Sequence, residues 1–112
     1  MTSADQVTGS TLPLDEDGHL ADAALWSEAV AVELARRDGL SLSEEQWWLI
    51  RFVRSHYLRY RMPPLMRVVI RALRTEPGQA QASSQTLYRW FPDGPIRLAC
   101  RYAGLPKPDA CI

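Results

Sequence analysis

The residues best suited to chemistry in this chain are its two cysteines, Cys100 and Cys111, with ten residues between them and only Ile112 beyond. A thiolate attacks disulfide and persulfide sulfur, so paired thiols point to redox or group-transfer chemistry. Two cysteines and the separated His19 and His56 have no zinc-site spacing, which argues against a metal. No serine or carboxylate pair stands beside a suitable histidine, which argues against a hydrolase. Nothing calls for a cofactor. Cys111 ends the stretch Leu105-Pro106-Lys107-Pro108-Asp109-Ala110, whose two prolines stiffen it. From Gly104 the stretch reaches at most ~25 Å. It either delivers a sulfur into another protein's pocket or folds back towards Cys100, which requires the two Cα atoms to approach within ~6 Å. A terminal cysteine of no consequence is the plain alternative, and the two prolines argue against it. Asp109 and the terminal carboxylate disfavour a second anion at Cys111, so activation must come from Lys107, from arginines of this chain or from a partner's pocket.

The element that positions the cysteines is a helix opening at Asp93-Gly94-Pro95, with Asp93 as cap and Pro95 in the first turn, and closing at Gly104. Within it Cys100 shares a face with Ile96 and Ala103, which predicts a thiol packed against the core. Upstream, residues 1–10 are polar and expected to be disordered. Thr11 to Leu20 carry Asp17-Gly18 between short apolar pieces, predicting a small β-hairpin of structural role. A helix is expected from after Asp22 to Arg37, with Trp26, Val30 and Leu34 as its buried stripe. Ser43 then caps the longest helix, with Gln46 completing a capping box and Pro63-Pro64 ending it after Met62. A third helix follows, with Leu65, Val69, Ala72 and Leu73 inward and Arg67, Arg71 and Arg74 along one side. Glu76 to Ser83 read as a loop, and Ser84 to Phe91 as a short helix whose Tyr88, Trp90 and Phe91 face the core. The fold class is therefore mainly α: one small domain over 1–112, a bundle of about five helices with a short N-terminal hairpin. A flexible, mobile cysteine arm over 105–112 completes it.

Net charge is zero, yet residues 1–45 carry ten acidic groups against Arg36 and Arg37, and residues 46–112 carry eleven basic groups against Glu76, Asp93 and Asp109. Such a dipolar layout either steers a charged partner onto one face or is neutralised across the fold. The arginine row Arg67, Arg71 and Arg74, with Lys107, is the candidate docking surface for an anionic partner; a solvated helix face is the plain reading. No run approaches the ~20 apolar residues of a membrane span. The N-terminus lacks a signal core, so a cytoplasmic protein with reduced thiols is expected.

At these residues the sequence resembles the DsrC/TusE family of sulfur-relay proteins. The resemblance rests on the ending Ala-Gly-Leu-Pro-Lys-Pro-Asp-Ala-Cys-Ile, on Leu-Tyr-Arg-Trp-Phe-Pro-Asp-Gly-Pro before it, and on Cys100. Asp-Glu-Asp-Gly-His-Leu at 15–20, Trp26, Ser-Glu-Glu-Gln-Trp at 43–47 and Ile50-Arg51-Phe52 extend it over nearly the whole chain from about residue 14. It implies a small helical protein whose Cys111 carries sulfane sulfur as a persulfide. It also implies two protein partners, a sulfur-donor complex and an acceptor enzyme. In TusE-like members the acceptor makes 2-thiouridine at the tRNA wobble position. DsrC-like members serve dissimilatory sulfite reductase and use a second cysteine, here Cys100 as a resolving partner of Cys111. The chain departs from the family pattern at Met62 to Met66 and at Thr75 to Ala82, which bears on partner choice. TusE-like relay is the leading expectation on breadth of occurrence.

A helix-turn-helix is the remaining alternative, with Gln85 and Arg89 entering a DNA groove. The connection before Ser84 is about twice the usual 3–4 residues, and the cysteines go unexplained. Direct nucleic-acid binding is therefore not expected.

Overall fold

The computed structural model describes residues 12–108, which fold into five α-helices: α1 Glu28–Arg37, α2 Glu44–Tyr60, α3 Met66–Leu73, α4 Ser84–Trp90 and α5 Pro95–Tyr102. The expected disorder of residues 1–10 falls outside the described residues. Helix α5 is the hub, packing on α1, α2 and α4, while α3 bridges α2 and α4. The core runs through Leu34 of α1, Leu49, Ile50 and Val53 of α2, Leu73 of α3, Leu87 of α4 and Ala99 of α5, all essentially inaccessible. Burial of this order contributes ~1.5–3 kcal/mol per large aliphatic side chain. No helix among the described residues is long and apolar enough to cross a membrane.

Local capping explains most boundaries. Ser43 Oγ accepts from the Gln46 amide and Gln46 Oε1 accepts from the Ser43 amide, closing the expected capping box. The same Gln46 donates Nε2–H to the Trp90 carbonyl at 2.7 Å, tying the start of α2 to the end of α4. Arg61 ends α2 in the left-handed region at φ 61°, ahead of the double proline.

Several expectations are corrected. The helix predicted from Asp22 to Arg37 is broken: Ala23–Leu25 form one 3₁₀ turn, Trp26 is extended, and Ser27 caps a fresh helix. Two capping side chains five residues apart, Asp22 and Ser27, each satisfy their own helix start. Leu65 is exposed rather than inward, because it is the cap residue of α3 with an extended backbone (ψ 152°), so its four-residue spacing to Val69 does not place it on the buried helix face. Phe91 is buried as expected, whereas Tyr88 is exposed. Gly94, at φ 121°, takes the cap position of α5 in place of Asp93, whose carbonyl instead accepts from Arg97.

The predicted hairpin reduces to one antiparallel bridge between Leu14 and Leu20. Asp15 Oδ1 accepts from the Asp17 and His19 amides, so the segment closes as a side-chain-pinned turn before any ladder can grow. Pro13 has no N–H to extend the pairing, and only its carbonyl is used, by Ala21.

Candidate functional site: the root of the cysteine arm

Cys111, the residue the sequence singles out for chemistry, lies outside the described residues. The structure does describe the root from which its segment departs, residues 103–108.

Helix α5 ends in a Schellman motif. Gly104 sits at φ 74°, its amide reaches the Arg101 carbonyl, and the Leu105 amide reaches the Cys100 carbonyl at 2.9 Å. Only glycine fits there. A Cβ at Gly104 would lie 2.6 Å from Cδ1 of Trp26, quite apart from the positive φ.

The carbonyls left over at a helix C-terminus need donors, and distant segments supply them. Trp26 Nε1–H donates to the Tyr102 carbonyl at 2.7 Å. Arg54 Nη1 donates to the Ala103 carbonyl at 2.8 Å, and its guanidinium lies 4.4 Å from the centre of the Trp26 ring. His19 Nδ1 is 2.8 Å from the Leu105 carbonyl. A carbonyl can only accept, so the Nδ1 nitrogen carries the hydrogen. Three donors from three separate segments thus hold consecutive parts of one short stretch. The cationic Arg54, though burial lowers its pKa, also complements the negative end of the α5 dipole.

A second layer anchors the last turn of α5 from the side. Arg101 Nε pairs with Asp38 at 3.0 Å, and its Nη1 donates to the Gly18 carbonyl. The Tyr102 hydroxyl donates to Asp38 Oδ2 at 2.6 Å. Burial pushes the Asp38 carboxyl up, but the Tyr102 hydroxyl and Arg101 outweigh it, so its pKa is lowered. Burial first, and then the neighbouring Asp38 carboxylate, raise the pKa of Tyr102. Tyr102 therefore stays a donor throughout the physiological range.

The predicted site residues separate. Leu105, expected to begin a mobile arm, is fully buried, so the described chain leaves the core at Pro106. Lys107 is exposed and stands 3.8 Å from Asp17, a loose surface pair of small energetic weight. Arg67, Arg71 and Arg74 are all exposed on α3 and the residue after it, and Arg74 is engaged in closing the following loop through the Ala82 carbonyl. Cys100 is wholly buried as expected, and burial pushes its thiol up to about 12. Residues 74–83 separate α3 from α4, too long a connection for a helix-turn-helix.

Sequence reasoning missed His19, Arg54 and Asp38 as holders of the root. Only the stretch Asp-Gly-His-Leu carries a local signal, and that signal is for a structural hairpin.

The site so described is a helical domain that holds the start of a cysteine-bearing segment. The chain belongs to the DsrC-like family: the family model described as "DsrC like protein" matches residues 6–112. It is 41% identical over 104 residues to the sulfurtransferase TusE of Escherichia coli K12, covering 93% of this chain and 95% of that one. With the sulfurtransferase TusE of Sodalis glossinidius the identity is again 41%, over 107 residues, covering 96% and 99%. Among solved structures, the oxidized gamma-subunit of the dissimilatory sulfite reductase (DsrC) from Archaeoglobus fulgidus superposes with a TM-score of 0.80 at 40% identity, covering 90% and 92%. Allochromatium vinosum DsrC gives 0.76 at 41% identity, covering 88% of both chains.

Proposed function

We propose that this chain is a cytoplasmic sulfur carrier in which Cys111 holds sulfane sulfur as a persulfide and passes it to an acceptor enzyme of tRNA 2-thiouridine synthesis. The observation that carries this reading is the near-full-length likeness to curated sulfurtransferases TusE in a chain that ends in a cysteine segment. The Cys111 thiolate attacks the outer sulfur of a donor persulfide. The donor's S–S bond breaks, the donor leaves as thiolate, and Cys111 becomes the persulfide. The same displacement, run on the loaded Cys111, hands the sulfur on and restores the thiolate. The protein contributes reach and direction, while the partner's pocket and Lys107 contribute the positive charge that a thiolate beside Asp109 needs.

A second reading is a partner of sulfite reductase using a Cys100–Cys111 pair. It is favoured by the second cysteine and by the likeness to DsrC. Complete burial of Cys100 in the described structure weighs against it.

In cells lacking this chain, wobble-position 2-thiouridine in total tRNA should fall severalfold or more. The wild-type chain should restore it and Cys111→Ser should not. Unchanged 2-thiouridine after deletion would refute the tRNA assignment in favour of the sulfite reading.

A further inference from the structure

We propose that the Asp15–Leu20 turn is a positioning device for the cysteine arm, with His19 as the residue that sets the arm's direction; the proposal rests on the carrier reading of Cys111. The turn touches the end of the chain at three places. Arg101 donates to the Gly18 carbonyl, His19 holds the Leu105 carbonyl at 2.8 Å, and Asp17 faces Lys107 at 3.8 Å. These contacts span the last turn of α5 and the first residues after it, so the turn grips the segment where it leaves the helix.

His19 is the innermost of them, 1% exposed. A leucine has nearly the same volume and would fill the space but leave the Leu105 carbonyl without its donor, so the histidine is there for its hydrogen bond and not for packing alone. The imidazole contributes one directed hydrogen bond to a carbonyl 86 residues away in sequence. Its own amide is held by Asp15 Oδ1 at 3.0 Å, which fixes the residue from behind.

Leu105 is the last fully buried residue of the described chain, followed by Pro106, Lys107 and Pro108. Cys111 lies six Cα steps beyond Leu105, a reach of at most ~20 Å. Over such a reach, a rotation of about 10° at the root corresponds to at most about 3 Å at the far end. Misplacement of about 1 Å in a reacting pair is enough to slow transfer on the order of a hundredfold. Pro106 and Pro108 restrict the backbone immediately beyond the root.

The test uses the full chain with nitroxide labels on Cys111 and on Ser55→Cys, a solvent-exposed position in the middle of α2. Distances between the labels are measured for the wild type, His19→Leu, His19→Asn and His19→Gln. Asparagine places its amide nitrogen where Nδ1 stands, whereas glutamine places it where Nε2 stands. The distribution should broaden or shift by several Å in His19→Leu and His19→Gln, and return in His19→Asn. In parallel, unlabelled protein carrying native Ser55 is loaded with inorganic polysulfide and treated with cyanide, which removes the sulfane sulfur as thiocyanate. That small acceptor needs no aim, so release should agree within about twofold across the four proteins. Identical distributions in all four proteins, or recovery in the glutamine variant alone, would overturn the proposal. So would slowed cyanide release in the leucine and glutamine variants, which would tie His19 to the chemistry. If His19→Leu does not fold, the asparagine–glutamine contrast decides. Failure of wild-type Cys111 to take up sulfur, with distances still following His19, would remove the carrier function and keep the turn as the holder of the arm.

Discussion

Iodoacetamide at about pH 7.5 should alkylate Cys111 on the order of a thousandfold faster than Cys100 in the native protein. Only the thiolate reacts, and burial moves the Cys100 thiol from its ordinary value of 9.0 up to about 12. Three pH units correspond to a thousandfold smaller thiolate fraction than an unburied thiol at the ordinary value has; steric protection of the fully buried Cys100 sulfur adds to this, and the carboxylates beside Cys111 take some of it back. The sign of the pH dependence follows. The neutral Cys100 thiol suits the folded state below pH 9, and its contribution to stability is lost as pH rises from there through about 12. The rate at Cys100 should keep climbing about tenfold per pH unit up to about pH 12. In denaturant the two rates should converge. Comparable native rates would mean that α5 opens readily, which would revive Cys100 as a resolving thiol.

Gly104→Ala should destabilise the protein by about 2–4 kcal/mol. The left-handed backbone costs a side chain roughly 1 kcal/mol. The added methyl would also sit 2.6 Å from Cδ1 and 2.8 Å from Cβ of Trp26. The indole must then shift, straining its hydrogen bond to the Tyr102 carbonyl and its stacking under Arg54, an overpacking effect of ~1–3 kcal/mol. Gly78 is the control: its φ is +78° but a Cβ there would meet nothing within 4 Å. Gly78→Ala should show the backbone effect alone. On thermal unfolding the Gly104 variant should lie about 10 °C or more below the wild type, and the Gly78 variant within several degrees of it. Equal losses would deny that Trp26 is a structural lid on the root.

These two glycines illustrate how far local signals reach. A helix that ends in Gly-Leu-Pro announces its own left-handed cap, and Ser43 with Gln46 announces a capping box, because donor and acceptor are neighbours in sequence. Leu105 shows the opposite case. Its local context, two prolines and few apolar residues, reads as a free arm, whereas burial and His19 hold it in the core. Nothing local to Arg54 announces that it reaches the Ala103 carbonyl across 49 positions. The Asp17-Gly18 turn was visible, but its use was not, since period-2 patterning cannot tell a ladder from a turn closed by an Asp15 side chain. At Asp93-Gly94-Pro95 two residues compete to cap, and the backbone freedom of Gly94 prevails over the carboxylate of Asp93. The helical class and the cysteine pair could thus be read directly, while the clamp around the root arises only from contacts between residues far apart in the chain.

The central claim is that Cys111 carries the sulfur, and trypsin makes it directly testable. Cleavage after Arg97 and Arg101 puts Cys100 in the peptide 98–101 and Cys111 in the peptide 102–112, since the Lys107–Pro108 bond resists cutting. The protein is incubated with inorganic polysulfide, capped with iodoacetamide, digested and weighed. The peptide 102–112 should gain about 32 Da, one sulfur atom, over its capped but unloaded form, with 98–101 unchanged. A gain of one sulfur on 98–101, or none on 102–112, would contradict the account.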